Sequence, residues 1–264
     1  MIGKHSTLLK QARLCTSRKG RDRTGLFMAE GVRVVSELLS WAPRSVTALF
    51  VNNSVRDYPG ITDVLMSAEA LGVSCVSLDS DLYESIAETD TSQGVIALAR
   101  QGHLSVSAML DKKPQFVVVS DHIQDPGNLG TLIRITDAVG ADGFIASQGS
   151  ADVHNAKTVR AAMGSLFHLP YSKDVNIREV ISLLSGAGFS IIAADASGTV
   201  VHYDAKYTKP LAVIFGNEGS GISPDVLCHA TSVRIPMPGR AESLNVGVAA
   251  GVMLYEVLRQ WREV

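Results

Sequence analysis

Five polar side chains in this chain could bind or orient a ligand: Asn128, Arg134, Glu218, Ser243 and Asn245. They fall in three stretches, Asp125-Pro126-Gly127-Asn128-Leu129-Gly130 running on to Arg134, Phe215-Gly216-Asn217-Glu218-Gly219-Ser220-Gly221, and Ile235-Pro236-Met237-Pro238-Gly239 running on to Glu242-Ser243-Leu244-Asn245. Each has a plainer reading. Asn128 could simply be the N-cap of a helix running to Gly140, a candidate C′ glycine, and Arg134 a solvated helix charge. The glycines could form an ordinary turn, although they also let backbone approach a ligand closely. Ser243 or Glu242 could cap the last helix, which explains Asn245 less well. Glu218 is the informative residue, an acid inside a loop that would accept anything polar.

The elements around these residues supply a frame. Apolar runs at Phe116 to Val119, Gly143 to Ala146, Ser190 to Ala194, Leu211 to Phe215 and Ser232 to Pro236 lack polar alternation, as strands of a parallel sheet covered on both faces do. Such sheets hold ligands beyond the carboxyl ends of their strands, where all three stretches lie. Leu129, Leu132, Ile133, Thr136 and Val139 form the buried stripe of the first helix, leaving Arg134 on its flank. Gly247, Ala249, Ala250 and Gly251 keep the last helix thin for close packing. No Gly-Lys-Ser/Thr follows the glycine loop and no GxGxxG follows the first strand, so neither a P-loop nor a dinucleotide site is supported.

Before residue 115 the pattern is a separate α/β series. Helices are expected at Leu8 to Arg18, at Val32 to Trp41 and from an Asp79 or Ser80 cap through Glu88. Strands are expected at Val46 to Val51, Val73 to Leu78 and Gly94 to Ala99. Gln101 to Pro114 reads as a linker or short surface helix. The expected division is therefore 1–100, a linker over 101–114, and 115–264.

The 264 residues carry a formal charge of −2 and 46% hydrophobic residues, with mean hydropathy +0.17, values of a well-buried globular protein. The charge is unevenly spread. Through Arg33 there are eight basic residues (Lys4, Lys10, Arg13, Arg18, Lys19, Arg21, Arg23, Arg33) against Asp22 and Glu30, leaving 16 basic and 24 acidic beyond. A basic N-terminal face on an acidic protein is the footprint of a nucleic-acid contact. A solvated helix face or an organelle presequence is the alternative, the latter opposed by the folded-domain signals of Gly25 to Gly31 that follow at once. Cys15, Cys75 and Cys228 are odd in number and far apart, which argues against disulfides or a zinc site and for a reducing, cytoplasmic setting. With no such cysteine pairing no metal is expected, and no apolar run is long enough to span a bilayer, so no membrane association is expected.

Together the three stretches resemble the motif set of the SpoU (TrmH-like) RNA ribose 2′-O-methyltransferases of the SPOUT class. The resemblance implies an α/β fold: a C-terminal parallel-sheet SPOUT domain with a deep trefoil knot, a homodimer, and a smaller α/β RNA-binding domain ahead of it. Arg23-Thr24-Gly25, Glu30-Gly31 and Thr91-Ser92-Gln93-Gly94-Val95 carry the likeness of the smaller domain. It implies S-adenosylmethionine as cofactor, held by Ala194, Asp195, Gly216, Ile235, Met237 and Leu244. Asn128, Arg134, Glu218, Ser243 and Asn245 fall on the catalytic motif positions. Gly247 departs slightly, since a small hydroxyl residue is common there. Arg134 is the family's activator of the ribose hydroxyl. A guanidinium with a pKa above ~12 is a poor base, so Arg134 is expected to stabilise the oxyanion or grip the adjacent phosphate.

Candidate RNA contacts are Lys19, Arg21, Arg23 and Arg33, with Lys157 and Arg160 on a helix beside the site. The two-domain build favours ribosomal RNA of the 23S type over transfer RNA. A transfer RNA ribose methyltransferase and a non-catalytic RNA-binding or ribosome assembly factor are the alternatives, the latter opposed by intact motif positions.

Overall fold

The computed structural model describes residues 7–55, 58–89 and 91–262; Lys4, counted in the basic N-terminal face, lies outside them. In chain order the elements begin α1 (Thr7–Cys15), α2 (Arg18–Thr24), β1 (Leu26–Glu30), α3 (Val32–Trp41), β2 (Val46–Asn52), α4 (Ile61–Ala70), β3 (Cys75–Leu78), α5 (Ser80–Glu84) and β4 (Val95–Arg100). They continue α6 (Val106–Leu110), β5 (Phe116–Asp121), α7 (Pro126–Ala138), β6 (Gly143–Ser147), α8 (Ala156–Ala162), β7 (Tyr171–Val175) and α9 (Ile177–Gly186). The last are β8 (Ser190–Ala194), β9 (Val200–Val201), β10 (Leu211–Gly216), α10 (Pro224–Leu227), β11 (Thr231–Arg234) and α11 (Val246–Arg262).

The chain forms two compact units. The first comprises the described residues up to Gly102 together with His154–His168. Its four-stranded sheet runs β1-β4-β2-β3, with β4 antiparallel to both neighbours and β2 parallel to β3. Leu9, Met28, Phe50, Tyr83, Ile96 and Leu98 are among its buried core. The single helix expected over Leu8 to Arg18 is two, because Ser17 turns extended (φ −109°, ψ 146°) and its hydroxyl accepts from the Gly20 amide at 3.1 Å, capping α2. The segment around α8 belongs to this unit as well. His154 stacks on Phe27 with ring centroids 4.8 Å apart, and His168 Nε2 lies 3.2 Å from Glu37 Oε2. Residues 154–168, expected within the C-terminal part, thus pack with the first unit.

The second unit holds His103–Val153 and Leu169–Val264. Its seven strands run β7-β6-β5-β10-β8-β11-β9, every neighbouring pair parallel. All six residues of β5 are buried, as are the first five of β10, which is why these strands read as unbroken apolar runs. Val117, Val119, Ile145, Ala193, Ala212 and Ile214 pack with Val180, Ile181 and Leu184 of α9 in one cluster. Each fully buried aliphatic side chain there contributes about 1.5–3 kcal/mol. The stretch 101–114 is not a free linker: Val106 and Met109 of α6 are buried in that same cluster.

Two helices position the site, α7 and α11, which pack on each other. α7 ends at Gly140 (φ +69°) in a Schellman arrangement, with Gly140 N donating to Asp137 O and Ala141 N to Thr136 O. The helices close over Gly247, where a Cβ would stand 2.7 Å from Thr131 Cγ2. That contact gives the glycine in place of a hydroxyl residue a packing reason.

Candidate active site

Loops leaving the carboxyl ends of β5, β8, β10 and β11 carry the expected site residues, as doubly wound parallel sheets favour. In the first, Asp125 rather than Asn128 is the N-cap of α7: its Oδ1 accepts from the Asn128 amide at 2.8 Å, with Pro126 opening the helix. The Asp-Pro pair was the signal for this, a capping acid followed by proline in the first turn. Relieved of capping, the Asn128 side chain faces two other loops. Its Nδ2 donates to Glu218 Oε1 at 2.8 Å, and its Oδ1 accepts from Asn245 Nδ2 at 2.9 Å.

The loop after β10 is folded back on itself. Asn217 and Gly221 exchange both backbone hydrogen bonds, at 3.0 and 2.9 Å. A Cβ on Gly216 would stand 2.4 Å from Gly221 O, so this position admits only glycine without a shift of backbone. Asn217, unremarked in the sequence, braces the loop: Oδ1 accepts from the amides of Gly219 and Ser220, and Nδ2 donates to His122 O at 2.9 Å. Asp121, also unremarked, is 1% exposed. One of its oxygens accepts from the Ser223 amide at 2.8 Å and the other pairs with His122 Nδ1 at 2.7 Å. These braces present Glu218 to Asn128.

The third loop enters α11 through Asn245, which takes the capping role expected of Ser243 or Glu242. Asn245 Oδ1 accepts from the Gly247 amide at 2.9 Å, and its carbonyl from Ala249. One amide thus caps a helix with its oxygen and holds Asn128 with its nitrogen. Ser243 stays exposed ahead of it.

A cavity of about 350 Å³ opens among the loops of the second unit. All six expected cofactor residues line it: Ala194, Asp195, Gly216, Ile235, Met237 and Leu244. Glu218 and Ser243 line it as well, over walls that include Phe215, Val233 and Met253. Arg134 is not brought to this group. It is exposed on α7, does not line the cavity, and its side chain makes no hydrogen bond or ion pair among the described residues.

The expected RNA contacts all fall in the first unit. Lys19 and Arg23 are exposed on α2, Arg33 near the start of α3, and Lys157 and Arg160 on α8. The last two therefore stand with Arg33 rather than among the loops of the second unit. Arg21 is a correction. It is 3% exposed and donates from Nη1 to Cys15 O at 2.8 Å, so it fastens α2 to the end of α1 and offers no charge to a ligand.

Residues 115–255 match the SpoU rRNA Methylase family, and residues 7–97 match the MRM3-like substrate binding domain. The chain is 31% identical to the 23S rRNA (guanosine(2553)-2′-O)-methyltransferase RlmP of Bacillus subtilis, over 91% of this chain and 92% of that protein. The AdoMet-bound rRNA methyltransferase from Sinorhizobium meliloti superposes with a TM-score of 0.83 at 32% identity, covering 98% of this chain and 97% of that one. The SpoU methyltransferase AviRb from Streptomyces viridochromogenes, in complex with AdoMet, superposes with a TM-score of 0.86 at 28% identity over 98% and 99%. The chain belongs to the SpoU rRNA methylase family, and it is a methyltransferase of the SPOUT fold.

Proposed function

We propose that the protein transfers a methyl group from S-adenosylmethionine to a ribose 2′-hydroxyl of 23S ribosomal RNA. The observation that carries this is the hydrogen-bonded series Glu218–Asn128–Asn245, which ties three loops together beside the lined cavity. The 23S substrate follows the activity named for the Bacillus relative, and for a Streptomyces viridochromogenes relative, 30% identical, named as a 23S rRNA (uridine(2479)-2′-O)-methyltransferase.

The cavity suits the cofactor on its own terms. Its volume is in the range of small-molecule sites, and its lining mixes apolar surface from Phe215, Val233, Ile235 and Met253 with the acceptors of Asp195 and Glu218. Ala194, Gly216, Ile235, Met237 and Leu244 would hold the cofactor, which when bound supplies an electrophilic methyl group. The chain's own contribution is position. Both ends of the Asn128 amide are engaged, so Asn128 locks the loops and leaves recognition to freer groups. Ser243 Oγ and the second carboxylate oxygen of Glu218 are free to orient the ribose. Arg134, always cationic and exposed on α7 outside the cavity lining, is free to grip a phosphate adjacent to the reacting ribose or to meet the developing oxyanion once RNA is bound.

The reading extends to a trefoil knot in the second unit and to a homodimer. Val248, Val252 and Tyr255 recur at i, i+4 and i+7 on α11 and remain 53%, 37% and 55% exposed, an apolar stripe suited to a second copy. The free cysteines suit a reducing, cytoplasmic setting.

Tritiated S-adenosylmethionine, incubated separately with 23S RNA, 16S RNA and transfer RNA, tests the function. Label in 23S RNA alone, lost in Arg134→Ala and partly kept in Arg134→Lys, is the expected outcome. Label confined to transfer RNA, or full activity in the alanine variant, contradicts it.

A further inference from the structure

The stretches that carry the N-terminal likeness, Glu30-Gly31 and Thr91 to Val95, have no part in methyl transfer, yet they meet around a second cavity. It measures about 500 Å³ and lies wholly within the first unit. Its frame is built from buried or spent groups. Glu30 is 8% exposed, and its carboxylate accepts from the Glu88 amide at 2.9 Å and from the Thr89 hydroxyl. Gln93 Oε1 accepts from the Val32 amide at 2.8 Å, capping α3, while its Nε2 donates to the Tyr58 hydroxyl at 3.1 Å. Gly31 has φ +103°, and a Cβ there would press on Gln93 Oε1 at 3.0 Å.

The groups left over are those a ligand would meet. Arg33, Arg160 and Glu88, exposed as residues, line the cavity and bring it two guanidinium groups and one carboxyl. Among the described residues none of these three side chains makes a hydrogen bond, and burial raises the Glu88 carboxyl above its usual range against the pull of Arg21 and Arg160. Met163 and the nearly buried Val34 add apolar lining. Two guanidinium groups can hold phosphate, the Met163 side chain can pack on a base, and a carboxylate can only accept N–H. Guanine alone among the RNA bases presents two adjacent N–H donors, N1–H and N2–H₂, on its pairing edge, and these match the two oxygens of a carboxylate.

We propose that this cavity reads one unstacked guanosine of the substrate RNA, with Arg33 and Arg160 on its phosphates and Glu88 on its base edge. The proposal rests on the reading of the protein as an RNA methyltransferase and adds a recognition site remote in sequence from the methyl-transfer motifs. α8 thereby has a role: it carries Arg160 to a pocket otherwise built by the N-terminal residues.

The test uses full-length protein and fluorescein-labelled single-stranded RNAs of uridines with one central G, A, C or U, read by anisotropy at one fixed salt concentration. The guanosine strand is expected to bind roughly tenfold tighter than the others, the discrimination of one good bidentate pair. Glu88→Gln should bring it to the level of the adenosine strand with melting temperature unchanged. Arg33→Ala with Arg160→Ala should weaken all four strands alike and flatten the salt dependence. Equal binding of all four strands, a preference that survives in Glu88→Gln, or no loss in the double variant overturns the pocket. Methyl transfer by the unsubstituted protein, measured on the same preparations, separates the two failures. Transfer without a guanosine preference sinks the pocket alone, and a preference without any transfer sinks the methylation reading alone.

Discussion

Asn128 spends both ends of its amide on neighbouring loops, so its chemistry depends on having one donor and one acceptor. Asn128→Asp keeps the size and removes the donor, setting one carboxylate against Glu218. We expect the variant to fold with near-normal cofactor affinity and to lose about 10²-fold in kcat, the cost of a small misplacement of reacting groups. Calorimetry for binding and single-turnover transfer for rate check this, and an unchanged kcat contradicts the locking role. At this scale the sequence showed which side chains to watch, because a polar group in a glycine-rich strand-to-helix loop has few structural duties. It did not show the pairings. Two of its capping assignments moved, to Asp125 and Asn245, because several adjacent residues can cap and only the backbone path decides. Arg21 was illegible for a similar reason: a charge in a basic run gives no sign that a carbonyl six residues earlier will bury it.

The strand-to-helix loops are rigid because their turns leave no room for alternatives. Gly216→Ala would push a methyl into the Gly221 carbonyl and unfold the hairpin that presents Glu218. Loss of at least tenfold in S-adenosylmethionine affinity is expected by calorimetry, with little change in melting temperature.

The far end of α11 carries a different load. Glu256 accepts from Arg259 Nε and Nη2 at 2.9 and 2.8 Å, and from Gln260, which also donates to Ala205 O. Trp261 donates to Tyr207 O at 2.7 Å. The Arg259 hydrogen bonds chiefly hold the Glu256 carboxyl below the usual carboxylate range. A carboxyl lowered on folding adds stability above its unfolded pKa and loses it as pH falls through the folded value. Glu256→Gln should therefore cost about 0.5 kcal/mol near neutral pH, with the difference vanishing at acid pH, as thermal melts across pH would read. Elements with a strong pattern, such as α3 and the buried strands, were legible. β7 was not, because Tyr171-Ser172-Lys173-Asp174-Val175 is a half-polar edge strand with no apolar run.

For the whole molecule, the division into two units was legible in outline, but the packing of one segment was not. Nothing in residues 154–168 marks them as partners of β1 and α3, since that affinity lies in contacts such as Phe27 with His154 and Glu37 with His168. The apolar stripe on α11 gives the molecule-scale prediction. Val252→Asp should convert a dimer to monomers in analytical ultracentrifugation; a monomeric unsubstituted protein contradicts the dimer.

The proposed acceptor is a ribose hydroxyl and not a base. Its most direct test is to label 23S RNA with tritiated S-adenosylmethionine, hydrolyse the RNA in alkali and separate the products. The label is expected to stay in one alkali-resistant dinucleotide, because a methylated 2′-oxygen cannot attack its own phosphate. Label released in mononucleotides would mean base methylation and would contradict it.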